Sequence, residues 1–94
     1  MSDTLGLLAE AWQLARDLGY LVREEALGDL PGGGFSVGGV RHVLLNLEHT
    51  ASERLDRLLA AIAADPALEA EPKSRLLEAR LRAIARGEQA DHPP

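Results

Sequence analysis

Three histidines, His42, His49 and His92, are the side chains of this chain best suited to hold a metal or move a proton near neutral pH. No two of them stand at helical ligand spacing, and no HExxH stretch occurs. His42 falls on an apolar stretch that reads as a strand, and Glu48-His49 closes that stretch. The pair Glu48 and His49 supplies one or two ligands at most. As strand neighbours they point to opposite faces and do not converge without a bend. Surface or capping roles fit these residues better than a metal centre, and no cofactor is expected.

Nucleophilic chemistry has less support. The chain has no cysteine, which removes thiolate catalysis, thiolate zinc and disulfides together. Ser36, Ser52 and Ser74 stand in none of the strained strand-to-helix elbows that expose a nucleophile, and no Ser/His/Asp set is evident. The glycines of PGGGFSVGG lead into further strand rather than a helix N-terminus, and no Gly-Lys-Ser/Thr follows. They read as connector rather than phosphate cradle. Glu24 and Glu25 are adjacent on a strand and diverge, so they cannot share a substrate as acid and base.

These residues depend on the stretch Val40 to Ala64 for their positions. Val43-Leu44-Leu45-Asn46-Leu47 is short, apolar and rich in strand formers, so it reads as a buried strand. Thr50 with Glu53 three residues on is a capping box. Leu55, Leu58, Leu59 and Ile62 then follow at helical spacing, and Asp65-Pro66 ends the helix. Upstream, residues 3–18 read as a first helix with Leu5, Leu8, Trp12 and Ala15 on one stripe. Ser2 or Asp3 caps its start and Gly19 its end. Trp12 is most simply a core anchor, with ligand stacking as the alternative.

Tyr20 to Ala26 reads as an edge or half-exposed strand, and Leu27 to Gly34 as a loop. Phe35-Ser36-Val37 is a short strand, and Gly38-Gly39 suits a two-residue hairpin turn. That register pairs Val37 with Val40 and Phe35 with His42. One face then carries Phe35, Val37, Val40, His42, Leu44 and Asn46, and the other Ser36, Arg41, Val43, Leu45 and Leu47. Downstream, Pro66 suits one helical turn, and Pro72 and Gly87 bracket a last helix whose inner stripe is Leu77, Leu81 and Ile84. The expected fold is α+β: a helix, a three-stranded antiparallel meander, and two C-terminal helices packed on the sheet. Residues 1–87 form one domain and 88–94 a disordered tail.

Charge narrows the partners. The net charge is −5, and residues 1–71 carry 5 basic and 12 acidic side chains. Such a body disfavours nucleic acid, whose capture depends on phosphate neutralisation. The basic residues Lys73, Arg75, Arg80, Arg82 and Arg86 read as the solvated surface of the last helix. No apolar run reaches a membrane-spanning length, and the opening MSDTLG lacks a basic leader, so a cytoplasmic protein is expected. One lysine against nine arginines, with abundant Leu and Ala, suggests a GC-rich bacterial source.

The pieces LGYLVREEAL, GGGFSVGGVRHVLLN and TASERLDRLLAAIAAD, within residues 5–65, have an order similar to the core of small IrrE/ImmA-type zinc metallopeptidases. In that family the helix bears L-A-H-E-L-G-H. Matching Leu59-Ala60 to its L-A puts Ala61 at the first zinc histidine, Ile62 at the catalytic glutamate and Asp65 at the second histidine. Alanine and isoleucine neither bind zinc nor shuttle protons. The resemblance therefore implies a catalytically empty relative, unless a common helix–hairpin–helix layout is shared by chance.

Three function classes follow, of which the third is docking of an acidic partner or nucleic acid through the basic last helix. The first is a non-enzymatic interaction module, a homodimer or one with a protein partner, because both sheet faces hold apolar residues and neither looks freely solvated. The second is a small-ligand binder or enzyme, with its site on the sheet face around His42 and Asn46 or at the strand end around Glu48 and His49.

Overall fold

The computed structural model describes residues 3–87. Helix α1 spans Thr4–Asp17, strand β1 Leu21–Glu25, β2 Gly33–Val37 and β3 Val40–Asn46. Helix α2 then spans Ala51–Ile62, a 3₁₀ turn Pro66–Ala70, and helix α3 Arg75–Ala85. The α+β class holds, and the proposed tail at 88–94 lies outside the described residues.

The sheet is not an antiparallel meander. Its order is β1-β3-β2, with β1 parallel to β3 and β2 antiparallel to β3. The reason lies in what each strand can bury. β3 carries Val43 and Leu45, 1% and 0% exposed, and gains most from a neighbour on each side. β1 is charged and β2 is glycine-rich, and such strands suit sheet edges. The loop between β1 and β2 is no hairpin. It crosses the C-terminal end of β3 and delivers β2 to the far side.

Asn46 holds that crossing. Its side chain is 1% exposed and makes four hydrogen bonds. The amide nitrogen donates to the carbonyls of Gly28 (3.0 Å) and Leu30 (2.9 Å). The oxygen accepts from the N–H groups of Leu27 (3.2 Å) and Glu48 (2.9 Å). Gly32 permits the final approach: it has φ +78°, and a Cβ there would lie 2.3 Å from the carbonyl oxygen of Leu44.

The hairpin register is the one expected, with Val37 opposite Val40 and Phe35 opposite His42. Gly38 and Gly39 both have positive φ, as a type I′ turn requires. The capping box is present: the Thr50 hydroxyl accepts from the Glu53 N–H, and the Glu53 carboxylate accepts from the Thr50 N–H. The N-cap of α1 is Asp3, without a side-chain cap bond. α3 begins after Pro72, with Ser74 as its N-cap.

Core residues come from α1, β3, α2 and α3, with Leu55, Leu58, Leu59, Ile62 and Leu77 all fully buried. Trp12 is half-buried against this cluster, as a core anchor should be. α2 packs on β2 and β3, but α3 rests mainly on α1 and α2 rather than on the sheet. Two ion pairs fix the helices. Arg54 of α2 pairs with Glu24 of β1. Arg80 of α3 pairs with Asp56 of α2 at 2.9 Å and donates to the Ser52 hydroxyl. Arg80 thus links two helices rather than solvating a surface, and Lys73 donates to the carbonyls of Leu68 and Glu71.

Two substitutions test this account. Asn46→Ala leaves four backbone groups without their partner and is expected to cost about 2–4 kcal/mol in urea denaturation. Gly32→Ala drives a methyl into backbone and is expected to cost on the order of 2 kcal/mol. A change below about 0.5 kcal/mol for either would remove the crossing as a structural determinant.

Candidate functional site: an uncovered sheet face and an edge cleft

Alternation along the strands sorts side chains onto two faces. Arg41, Val43 and Leu45 of β3, with Val22 and Glu24 of β1 and Gly34 and Ser36 of β2, face the helices by register. The opposite face carries no helix among the described residues. There, Leu21 is 53% exposed, Phe35 45%, Val37 60% and Val40 44%. His42 and Leu44 are half-buried between them. Phe35 and His42 stack, with ring centroids 5.0 Å apart and planes 7° from parallel. At its β1 side this face ends in Arg23 and Glu25, 3.6 Å apart.

The residues picked from sequence do not all meet. Phe35, Val37, Val40, His42 and Leu44 form one continuous face. Asn46 does not join it as a free polar group, because its amide is spent on the crossing loop. Glu48 and His49 lie in the turn after β3, where Glu48 is exposed and the His49 N–H bonds the Asn46 carbonyl. No group of three metal-capable side chains occurs among the described residues. His92 lies outside them.

The positions matched to a zinc-binding helix have structural work instead. Ile62 is fully buried in the core, and Ala61 packs beneath Gly34. Asp65 caps the 3₁₀ turn by accepting from the Ala67 N–H at 2.9 Å. Its other oxygen accepts from Arg41 at 2.6 Å and from the Tyr20 hydroxyl at 3.1 Å. The Arg41 guanidinium also lies over the Tyr20 ring, 4.1 Å from its centroid, and donates to the Leu18 carbonyl.

The protonation states of this junction are settled by its neighbours. The Ala67 N–H, and then Arg41, hold the Asp65 carboxyl below the usual range. Burial, and then the bond to Asp65, push the Tyr20 phenol up. The carboxylate stays charged and the phenol stays protonated. That arrangement fastens β3 to both helix ends and offers neither a base nor a nucleophile near neutral pH.

Sequence reasoning missed a cleft of about 440 Å³ between the edge strand β2 and α2. Its floor is Ala60 and Ala61, its wall is Gly33 to Ser36 of β2, and Arg57, Arg41, His42 and Tyr20 complete its lining. No carboxylate lines it, although the chain is acidic overall. The available signal was the spacing of Arg57, Ala60 and Ala61, which places them on one helical face. It was unreadable without knowing that β2 lies at an edge.

Since Asp65 is held low in the folded state, its contribution to stability is present above the ordinary carboxylate value and lost as pH falls through the folded value. Denaturation at a series of pH values should show stability declining on acidification, with a shallower decline in Asp65→Asn. Identical slopes for the two proteins would remove Asp65 as a source of the pH dependence. No family model matches this chain, and no curated protein or solved structure matches it.

Proposed function

We propose that this chain is a small non-enzymatic interaction module that pairs with a second copy of itself through the uncovered sheet face. The observation that carries the reading is that face: Leu21, Phe35, Val37 and Val40 are each about half exposed on one side of a sheet whose other side holds the helices. Contiguous apolar surface of this kind marks interaction sites in soluble proteins.

Self-association is favoured over an unlike partner by the charges at the margin. Arg23 and Glu25 supply one charge of each sign on the same strand face. A two-fold axis applies the same patch to itself, so each Arg23 can meet the Glu25 of the other copy. The polar groups considered for a ligand or catalytic site have these surroundings. Asn46 clamps a loop, His42 stacks on Phe35, and Glu48 and His49 occupy a turn. No helix of the described residues is long and apolar enough to cross a membrane, which is compatible with the expected cytoplasmic setting.

Sedimentation analysis at micromolar protein should give a dimer. Phe35→Glu and Val40→Lys place charges on the uncovered face and should give monomers that keep the wild-type circular dichroism spectrum, at a cost of about 1 kcal/mol each in folding free energy. A wild-type chain that stays monomeric across the concentration series would overturn the self-pairing.

A further inference from the structure

We infer that the cleft between β2 and α2 binds an extended peptide with a free terminal carboxylate, added antiparallel to the β2 edge. Three observations converge on this occupant.

The first is the unpaired backbone. Val37 and Val40 close a two-residue turn and so form a hydrogen-bonded pair, as do Phe35–His42 and Gly33–Leu44 by alternation. The N–H and C=O groups of Gly34 and Ser36 therefore point away from β3, toward the open edge. An edge that presents such groups is a template for a further strand.

The second is room. The cleft is open and about 440 Å³, and α2 offers two alanines at its floor. Ala60 is exposed, and Ala61 is close enough that a Cβ on Gly34 would lie 3.3 Å from its methyl. An added strand would direct every second side chain over these alanines, which suits residues of medium size.

The third is charge. Arg57 lies at the Gly33 end, its Cδ 3.9 Å from where a Cβ on Gly33 would sit. Arg41, Arg54 and Arg80 each have a carboxylate partner, whereas Arg57 has none among the described residues. A peptide antiparallel to β2 runs from the Val37 end toward Gly33, so its C-terminus arrives beside Arg57. Guanidinium recognition of a carboxylate is charge-assisted and directional.

The test titrates ¹⁵N-labelled full chain with an acetylated Val/Thr pentapeptide bearing a free carboxyl terminus. The same peptide as its C-terminal amide, and sodium acetate alone, serve as the other arms. The expected result is saturable shifts of the Gly34 and Ser36 amides below about 1 mM peptide. The amide peptide and the Arg57→Glu variant should each bind about tenfold more weakly. Ser36→Pro deletes an outward N–H without touching the β3 ladder and should bind about tenfold more weakly as well. Should Ser36→Pro fail to fold, Ala60→Phe, which fills the cleft from an exposed position, makes the same discrimination.

Absence of shifts at Gly34 and Ser36 up to about 1 mM overturns the proposal. Equal binding of acid and amide overturns the carboxylate, and shifts reproduced by acetate alone reduce the site to a simple anion site. The test reads the Gly34 and Ser36 amides at the open edge of β2, so a monomeric chain would leave it standing.

Discussion

The fold depends on β3 taking the centre of the sheet. Among the described residues, Val43 and Leu45 are the only strand side chains in the buried apolar core, and β3 has a strand on each side of it. β3 follows β1 and β2 in the chain yet lies between them, so the connection from β1 to β2 has to span the width of β3. The loop across the top of the sheet makes that span, and Asn46, itself the last residue of β3, locks it. Strand and loop are thus mutually dependent: without β3 the loop carbonyls of Gly28 and Leu30 lose their donor, and without the loop the Asn46 amide is a costly buried polar group. This makes the sheet a cooperative unit rather than a hairpin with an added strand.

Charge does the remaining positioning. Three arginines of the covered side are each spent on one joint: Arg54 on Glu24, Arg80 on Asp56, and Arg41 on Asp65. The last two acids are little exposed, so removing the arginine of either pair would leave a carboxylate without its cation rather than merely delete a surface contact. These three joints account for six of the ionisable side chains of the described residues. Each of these joints sets an arginine against a carboxylate, and at Asp65 the partners hold the carboxyl below its usual range. Arg57 stands outside this scheme.

The legible parts of the sequence were those fixed by neighbours along the chain. The Thr50–Glu53 box, the Gly38-Gly39 turn, the Phe35–His42 register and the Pro66 turn are each specified within four residues. Strand order was not legible, because it turns on the comparison of three strands and on one loop. The seven residues between β1 and β2 fit a hairpin loop as well as a crossover. What decides between them is the side chain of Asn46, some sixteen to nineteen residues downstream of its loop partners. The site reading inherits that gap. The exposed face could be listed from alternation alone, but Asn46 was assigned to it as a free polar group, and the cleft required knowing which strand lay beside α2.

Strand β2 shows how few residues such a surface needs. Its odd positions, Phe35 and Val37, turn their side chains to the uncovered face. Its even positions, Gly34 and Ser36, turn toward α2 and send their backbone groups to the open edge. Glycine at position 34 suits the close packing there, since an added methyl would lie 3.3 Å from the Ala61 methyl. Close seating of β2 on α2 is therefore what sets the depth of the cleft, while the hairpin register sets which amides face it. The two surfaces share one strand but use different atoms of it: side chains for the face, backbone for the edge. A substitution of Phe35 for a charged residue alters the face and leaves the outward amides in place, whereas Ser36→Pro does the reverse. That separation follows from the period of two in the strand.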